Sequence, residues 1–301
     1  MQTIQTRISL ALLILFANLG LSTQAQQSGI IADGAQPTLV AADYKFTEGP
    51  AVDKDGNVFF TDQPNNRIMK WSTDGSLSVY IDDSGRANGL YFDNDGNLLA
   101  CADLKNELWQ IDSYKNVTVL ISDFEGKQLN GPNDLWVDPK GGIYFTDPYY
   151  QRDYWTRTEK EIEKERVYYL TPDKKNVRIV ADDLAQPNGI IGTPNGKNLY
   201  VADIRDKKTY SYSIQKDGSL TNKKLFVEMG SDGMTIDNHG NVYVTGRGVT
   251  VFNKKGEQIE QIPIDQRWTA NVTFGGKDRQ TLFITASTSV YTLKMNVKGV
   301  R

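Results

Sequence analysis

The sequence is poor in cysteine and histidine, the two side chains that most often carry nucleophilic or metal chemistry. Its 301 residues contain one of each, Cys101 and His239. One cysteine cannot form an internal disulfide, and the apolar stretch around Cys101 indicates a small buried side chain rather than a nucleophile. His239 stands in a turn-like stretch, so Ser-His-Asp triads, histidine dyads and histidine-ligated zinc sites are excluded.

The sequence also lacks a large excess of charge of either sign. It has 34 lysines and arginines against 37 acidic residues, a formal net charge of -3. A protein that binds nucleic acid needs a basic surface to neutralise phosphates, so we expect no nucleic-acid partner. With 39% hydrophobic and 24% charged residues, the composition is that of a globular domain and not of a disordered, collagen-like or coiled-coil chain.

A long apolar run occurs only at the amino terminus. Arg7 precedes a largely apolar run over residues 8–21, and the small residues Thr23 and Ala25 follow. This pattern predicts a secretory signal peptide over residues 1–25, and hence a periplasmic or secreted protein with no membrane association after cleavage. An uncleaved anchor is the alternative, although the run is short for a bilayer. We expect a short segment over 26–37 and one domain over 38–301.

A repeated phrase fills that domain. A polar residue opens a short apolar strand, an Asp-Gly-Asn-like turn follows, and a second apolar strand ends in a small residue plus Asp. Two further strand-like runs complete most copies. The six copies start near residues 48, 88, 133, 188, 232 and 271. Four short strands in each repeat predict an all-β, six-bladed β-propeller.

The sixth copy has no clear fourth strand, whereas residues 38–44, ahead of the first copy, are strand-like. We therefore expect this N-terminal strand to complete the last blade and close the ring. Closure of this kind would remove an exposed sheet edge.

The first strand of each propeller blade lines the central channel, so the six leading residues are expected to meet at one end of it. They are Glu48, Asn88, Asn133, Asn188, Asp232 and Asn271. The hairpins return the chain to the same end, which places four aspartates one layer outward. These are Asp62, Asp103, Asp147 and Asp203.

The expected ring offers only oxygen donors, from two carboxylates and four carboxamides. Ca²⁺ accepts irregular shells of such oxygens, Mg²⁺ requires stricter octahedral geometry, and Zn²⁺ prefers nitrogen or sulfur. A hydrogen-bonded plug of Asn and Asp side chains around water is the alternative. One divalent cation, Ca²⁺ ahead of Zn²⁺, Mn²⁺ or Mg²⁺, is the interpretation that we favour.

Four motifs stand in register in four of the copies: Glu48-Gly49-Pro50, Pro132-Asn133-Asp134, Pro187-Asn188-Gly189 and Ser231-Asp232-Gly233-Met234. They resemble those of the regucalcin and gluconolactonase-like family, and the closing residues 271–276 and 285–288 are similar to its bacterial gluconolactonase branch. The resemblance covers roughly residues 40 to 295. It implies a six-bladed propeller with one catalytic divalent ion at the channel mouth.

The resemblance also implies roles for individual residues. It implies Glu48, Asn188 and Asp232 as metal ligands, Asp232 as general base, and Asn133, with Asp134 beside it, as a substrate contact. Two positions depart from the family pattern. Gly131 stands where the sugar-binding branch has an arginine, and the second blade reads Asp103-Leu104-Lys105-Asn106 instead of an acid–His pair. These departures affect the identity of the substrate and leave the metal site intact.

On this basis we expect a hydrolase that opens a sugar lactone to the aldonic acid. Asn88 and Asn133 would bind substrate hydroxyls, and Arg86 would either do the same or be a surface charge. The interval between the third and fourth copies is the longest, and its extra residues 148–166 (the insertion) carry Tyr149, expected to cover the site, or form a solvated loop. The alternatives are a calcium-dependent organophosphate hydrolase resembling diisopropylfluorophosphatase and a non-enzymatic ligand-binding propeller.

Overall fold

The repeated hairpins fold as antiparallel strands in six sheets of four strands each, which we call blades I to VI. The structure is a computed structural model that describes residues 29–300, so the predicted signal peptide over 1–25 lies outside the described residues. The described residues are nearly all-β, and their blades form a β-propeller, as the repeat predicts.

The strand bounds are as follows. The first strand along the chain is β1 (Thr38–Ala41). Blade I contains β2 (Thr47–Val52), β3 (Val58–Asp62), β4 (Arg67–Trp71) and β5 (Leu77–Ile81). Blade II contains β6 (Ala87–Phe92), β7 (Leu98–Ala102), β8 (Glu107–Ile111) and β9 (Val117–Ile121). A small hairpin, β10 (Asp123–Phe124) and β11 (Lys127–Gln128), follows. Blade III contains β12 (Leu135–Val137), β13 (Ile143–Asp147), β14 (Arg166–Leu170) and β15 (Val177–Ala181).

The remaining blades follow in order. Blade IV contains β16 (Pro187–Gly192), β17 (Asn198–Asp203), β18 (Lys208–Ile214) and β19 (Leu220–Val227). Blade V contains β20 (Met234–Ile236), β21 (Val242–Gly246), β22 (Gly248–Phe252) and β23 (Gln258–Ile262). Blade VI contains β24 (Thr269–Gly275), β25 (Thr281–Ala286) and β26 (Ser289–Lys294) together with β1. A short 3-10 helix, Gln63–Asn65, lies between β3 and β4.

The N-terminal strand closes the ring. β1 pairs antiparallel with β26, and Leu39 lies opposite Tyr291. An isolated bridge between Ile31 and Met295 extends this attachment towards the amino terminus. The fourth strand of blade VI therefore comes from the start of the chain, which confirms the expected closure.

An aspartate holds the turn between the first two strands of several blades. In blade I, Asp53 Oδ1 accepts the backbone N–H groups of Asp55 and Asn57, both at 2.9 Å, and Asn57 Nδ2 donates to Asp53 Oδ2 at 2.7 Å. Asp93 and Asp237 make the same three contacts in blades II and V. In these turns the aspartate carboxylate accepts hydrogen bonds from backbone N–H groups of the same turn. The Asp-Gly-Asn sequence therefore has a structural role.

The core lies between neighbouring blades, where large aromatic side chains fill the space between the sheets. Phe60 of blade I lies 5.4 Å from Phe283 of blade VI, measured between ring centroids, and both are fully buried. Cys101 is fully buried, which agrees with its apolar surroundings in the sequence. Among residues 29–300, no helix has the length and apolar character needed to span a bilayer.

Candidate functional site

The six leading residues gather at one end of the channel, which we call the mouth. Asn271 Nδ2 donates to Asp134 Oδ2 at 3.4 Å, although 137 positions separate the two residues. The approach between blades is close: a Cβ added to Gly49 would lie 2.1 Å from the carbonyl oxygen of Asn88, and one added to Gly233 would lie 1.8 Å from Cγ of Asn271. Glycine after the leading residue is therefore what allows the blades to meet.

Threonines on the second strands hold the leading residues in place from the neighbouring blade. Thr61 Oγ1 donates to the carbonyl oxygen of Asn88 at 3.1 Å, and Thr146 Oγ1 donates to that of Asn188 at 2.8 Å. Thr245 Oγ1 makes the corresponding bond to Ala270, next to Asn271, at 2.8 Å. The backbone at the mouth is thus fixed before any ligand binds.

Glu48 and Asp232 bring two negative charges together at the mouth. Glu48 is 3% exposed, and burial, followed by the charge of Asp232, raises the pKa of Glu48 well above its usual range. Burial raises the pKa of Asp232 to about 6, while hydrogen bonds from Trp268 and Asn188 lower it. Asp232 nevertheless keeps part of its surface accessible. The arrangement disfavours two bare carboxylates and favours a bound cation.

The donor set fits a hard divalent cation. Glu48 and Asp232 would supply carboxylate oxygens, and Asn188, which lies beside Asp232, would supply a carboxamide. Within residues 29–300 there is no group of three or more His, Cys, Asp or Glu side chains placed to hold a metal ion. The three predicted ligands include only two acidic side chains, because the third, Asn188, is an amide. They therefore do not form a cluster of this kind. The roles of these three residues as ligands stay predictions.

The other predicted contacts also lie at the mouth. Asn88 and Asn133 are 4% and 5% exposed, and the carbonyl oxygen of Asn133 accepts the N–H of Gly89 at 2.7 Å. Burial raises the pKa of Asp134 to about 8. Asp134 Oδ1 also accepts its neighbour's N–H, from Leu135, at 2.9 Å. Asp134 is therefore engaged with the protein on both oxygens.

Three of the four outer aspartates bind backbone just ahead of their own blade. Asp62 accepts the N–H of Lys45 at 3.0 Å, Asp147 accepts that of Gly131 at 2.7 Å, and Asp203 accepts that of Gln186 at 3.0 Å. These three carboxylates fix the entry of each first strand, so they are structural.

The fourth outer aspartate, Asp103, binds the insertion instead. Its Oδ2 accepts Nε of Arg152 at 2.8 Å and also the hydroxyl of Tyr154. Its carbonyl oxygen accepts Nε1 of Trp155 at 2.7 Å. Gln63 Nε2 donates to the same carboxylate at 3.2 Å. Asp103 therefore anchors the insertion over the mouth, a role that the repeat pattern does not reveal.

The insertion reaches the ring through Tyr150. Asn188 Nδ2 donates to the hydroxyl of Tyr150 at 2.9 Å, and the guanidinium of Arg152 lies 5.5 Å from the Tyr150 ring centroid. Tyr149, the predicted contact, donates to Gln151 and packs against Trp155 with ring centroids 5.8 Å apart. A role for Tyr149 towards substrate stays a prediction.

Arg86 is held at the rim of the mouth. Its Nη1 donates to the carbonyl oxygen of Pro64 at 3.0 Å, and its guanidinium lies 4.2 Å from the ring centroid of Tyr154. Because it packs against the insertion, Arg86 is more than a free surface charge.

One cavity reaches the ring itself, and a second lies under the insertion. The first, of about 670 Å³, follows the channel from Asp134 and Asn271 towards the turn side at Asp53 and Asp95. The other, of about 650 Å³, lies between the insertion and blades I and II. Its lining residues include Lys45, Gln63, Arg86, Arg152 and Tyr154. Arg152 of this second cavity lies over the ring of Tyr150, whose hydroxyl accepts a hydrogen bond from Asn188. This cavity, which we call the rim cavity, is therefore connected to the predicted metal ligands through Tyr150.

The chain is similar in sequence and fold to several known proteins. The family described as "SMP-30/Gluconolactonase/LRE-like region" matches residues 46–288. The chain is 29% identical over 292 residues to the gluconolactonase of Zymomonas mobilis, which covers 87% of this chain and 82% of that protein. The solved gluconolactonase of Xanthomonas campestris has a TM-score of 0.83 at 27% identity, covering 89% of this chain and 91% of that one. Regucalcin from Agrobacterium tumefaciens shares the fold, with a TM-score of 0.73 at 19% identity, covering 88% and 95%. The chain belongs to the SMP-30/gluconolactonase/LRE-like family.

Proposed function

We propose that this protein is a lactonase that opens a sugar lactone to the aldonic acid. The observation that carries the proposal is the meeting of Glu48, Asn188 and Asp232, from three different blades, at the mouth of the channel. Two relatives, from Zymomonas mobilis and Xanthomonas campestris, are gluconolactonases, and they align with most of this chain. A lactone is an activated ester, so its hydrolysis does not require the histidine base that the mouth lacks.

We propose one divalent cation, Ca²⁺, on Glu48, Asn188 and Asp232. The support is the all-oxygen donor set and the repulsion between two buried carboxylates. Regucalcin, which shares the fold, is described as a calcium-binding protein. When bound, such a cation polarises a carbonyl group and lowers the pKa of water.

The protein's own groups perform the remaining steps. Asp232, which is partly exposed at the mouth, accepts the proton of the water that attacks the lactone carbonyl. It returns that proton to the ring oxygen as the bond between this oxygen and the carbonyl carbon breaks, which gives the hydroxy acid. Trp268 Nε1 donates to Asp232 Oδ2 at 2.6 Å and so fixes the orientation of the base. Asn88 and Asn133 bind substrate hydroxyls from the opposite side of the mouth. The insertion, anchored on Asp103, limits the access of bulk water.

We also propose that residues 1–25 direct export and that the mature protein works in the periplasm or outside the cell. The support is the sequence pattern of Arg7, the apolar run and Ala25. Amino-terminal sequencing of the exported chain should give Gln26 as the first residue. A chain that keeps Met1 in the membrane fraction would contradict this proposal.

The test of the reaction is a panel of sugar lactones and one organophosphate, each with Ca²⁺, Zn²⁺, Mn²⁺, Mg²⁺ or chelator. We expect lactone hydrolysis that the chelator abolishes and Ca²⁺ restores. Asp232→Asn should lower kcat by roughly 10²- to 10⁴-fold, because it removes a general base without changing the shape of the side chain. Asp55→Asn, an exposed change in a hairpin turn, is the matched control. Lactone turnover that survives Asp232→Asn, or turnover of the organophosphate alone, would contradict the proposal.

A further inference from the structure

The rim cavity carries a concentration of positive charge that the proposed reaction does not use. Lys45, Arg86 and Arg152 line it, against a single acidic residue, Asp153. The chain as a whole has a net charge of -3. The lining of the rim cavity is therefore positive although the protein is negative overall. A concave, positively charged wall raises the local concentration of anions.

Most of this positive charge is not neutralised by the protein. Arg152 is paired with Asp103 through Nε. Within residues 29–300, Lys45 and Arg86 have no carboxylate partner within ion-pair distance, and Arg152 makes no hydrogen bond through its two Nη groups. Cations that are only partly neutralised by carboxylates and share one cavity are typical of a site that binds an anionic group.

Two of the three cations, Arg86 and Arg152, are held in place by the protein. Arg86 is fixed by Pro64 and by the ring of Tyr154, and Arg152 is fixed by Asp103 and lies over the ring of Tyr150. A guanidinium whose position is set beforehand loses less entropy when it binds a carboxylate or phosphate. The two guanidinium groups that line the rim cavity are therefore preorganised to bind an anion.

The rim cavity also lies within reach of the reaction centre. Arg152 acts electrostatically on Glu48 and Asp232, and Tyr150, under Arg152, bonds to Asn188. A volume of about 650 Å³ accommodates a sugar acid. A lactone whose ring carbonyl lies at the mouth would thus have its far end beside Arg86 and Lys45.

We infer that the preferred substrate is a lactone that carries a second, anionic group, a carboxylate or a phosphate, and that Lys45, Arg86 and Arg152 bind that group. This inference rests on the proposed lactonase activity and names its substrate class. Arg86 and Lys45 then determine specificity, and neutral sugar lactones are the poorer substrates.

The experiment compares kcat/KM for three lactones: neutral gluconolactone, a glucarolactone bearing a carboxylate, and a phosphogluconolactone bearing a phosphate. We expect one of the two anionic lactones to be preferred to the neutral one by about tenfold or more, which is what one charge-assisted contact contributes. The preferred lactone identifies the anion as a carboxylate or a phosphate. The preference should shrink as the ionic strength rises, because salt screens exposed charges.

The variants Arg86→Gln and Lys45→Gln should each reduce the preference for the anionic lactone severalfold, mainly through KM. Lys45 is exposed, so its replacement keeps the test open if Arg86→Gln fails to fold. Lys105→Gln is the matched control, because Lys105 is an exposed lysine of blade II that does not line the rim cavity. Equal kcat/KM for neutral and anionic lactones, or a preference that both variants leave intact, would overturn the inference.

A separate binding measurement distinguishes failure of this inference from failure of the lactonase proposal. Calorimetric titration with the products glucarate and phosphogluconate, and with gluconate as the neutral-ended control, needs no turnover. Binding of glucarate or phosphogluconate that is tighter than that of gluconate, and that Arg86→Gln weakens, supports the rim cavity, even where no lactone is hydrolysed. Hydrolysis of gluconolactone together with equal binding of all three products overturns the inference and leaves the lactonase proposal standing.

Discussion

The indole Nε1–H of Trp268 donates a hydrogen bond to Oδ2 of Asp232 at 2.6 Å. Trp268 lies just before β24 and Asp232 just before β20, so the first residues of two adjacent blades are coupled directly. The bond satisfies one carboxylate oxygen and lowers the pKa of Asp232, against the rise caused by burial. Trp268 is a positioning residue for the proposed base.

Trp268→Phe removes this donor while keeping an aromatic ring. We expect kcat to fall by about tenfold or more, since one hydrogen bond to a charged group is lost, while KM changes little. Steady-state kinetics on the best lactone measures the split between kcat and KM. Trp71→Phe, a partly buried change in blade I, is the matched control and should leave both constants unchanged. Equal effects of the two variants would show that Trp268 acts only through packing.

The predicted cation should stabilise the fold, because it binds the native mouth and not the unfolded chain. At a free cation concentration of 100 times Kd, the free energy of unfolding should rise by about 2.7 kcal/mol. Thermal melts with chelator and with added Ca²⁺ measure this increase as a higher Tm.

Glu48→Gln tests whether the stabilisation arises at the predicted ligands. The variant should lose the Ca²⁺-dependent rise in Tm, and with chelator present it should melt above the wild type, because it removes a buried charge that repels Asp232. Glu228→Gln, an exposed change after β19, should keep the full response to Ca²⁺. A Glu48→Gln protein that responds to Ca²⁺ as the wild type does would place the cation elsewhere.

Features that repeat along the chain could be predicted from the sequence. The spacing of Glu48, Asn188 and Asp232 placed them at one end of the channel, because each opens the first strand of a blade. The closure by β1 followed from a missing strand in the sixth copy. Both predictions depend on equivalent positions in different copies, which strand periodicity fixes.

Features that occur once could not be predicted in this way. Asp103 has the same place in its repeat as Asp147, yet it binds Arg152 of the insertion and not backbone. Tyr150 and Trp268 reach the mouth from irregular segments, whose path depends on packing and not on a repeat. The contacts specific to this chain therefore depend on the insertion and on irregular segments, which the repeat does not determine.

Gly49 should be required for the contact between blades I and II. It has a φ of 36°, and a Cβ there would lie 2.1 Å from the carbonyl oxygen of Asn88. Gly49→Ala therefore combines backbone strain with a clash against backbone that cannot give way. Gly75, with a φ of 88° and no atom within 4 Å of an added Cβ, is the matched control for strain alone.

In chemical denaturation, Gly49→Ala should lose about 2–4 kcal/mol of unfolding free energy, and Gly75→Ala about 1 kcal/mol. Gly49→Ala should also weaken the response to Ca²⁺, since Glu48 moves with its neighbour. Equal losses in the two variants would mean that the approach of the blades is not limiting at this point.

Asp147 should make the stability of the protein fall as the pH rises. Its carboxylate is fully buried and accepts the N–H groups of Asn130 at 2.9 Å and Gly131 at 2.7 Å. Burial raises its pKa from 3.8 to about 7, an effect that the two hydrogen bonds oppose. Between these two pKa values the folded protein binds more protons than the unfolded chain. The contribution of Asp147 is therefore complete below about pH 4 and is lost as the pH rises through about 7.

Asp147→Asn removes this titration. The unfolding free energy of the wild type, measured in urea at each pH between 4 and 8, should fall relative to that of the variant by at most about 1.4 kcal/mol per pH unit. At pH 5 the variant should be less stable than the wild type, because its amide cannot accept both backbone N–H groups. The difference in unfolding free energy between the two proteins should become smaller by pH 8. Asp55→Asn, at an exposed turn, should follow the wild-type curve. Parallel curves for the wild type and Asp147→Asn would show that Asp147 is not the group whose ionisation opposes folding.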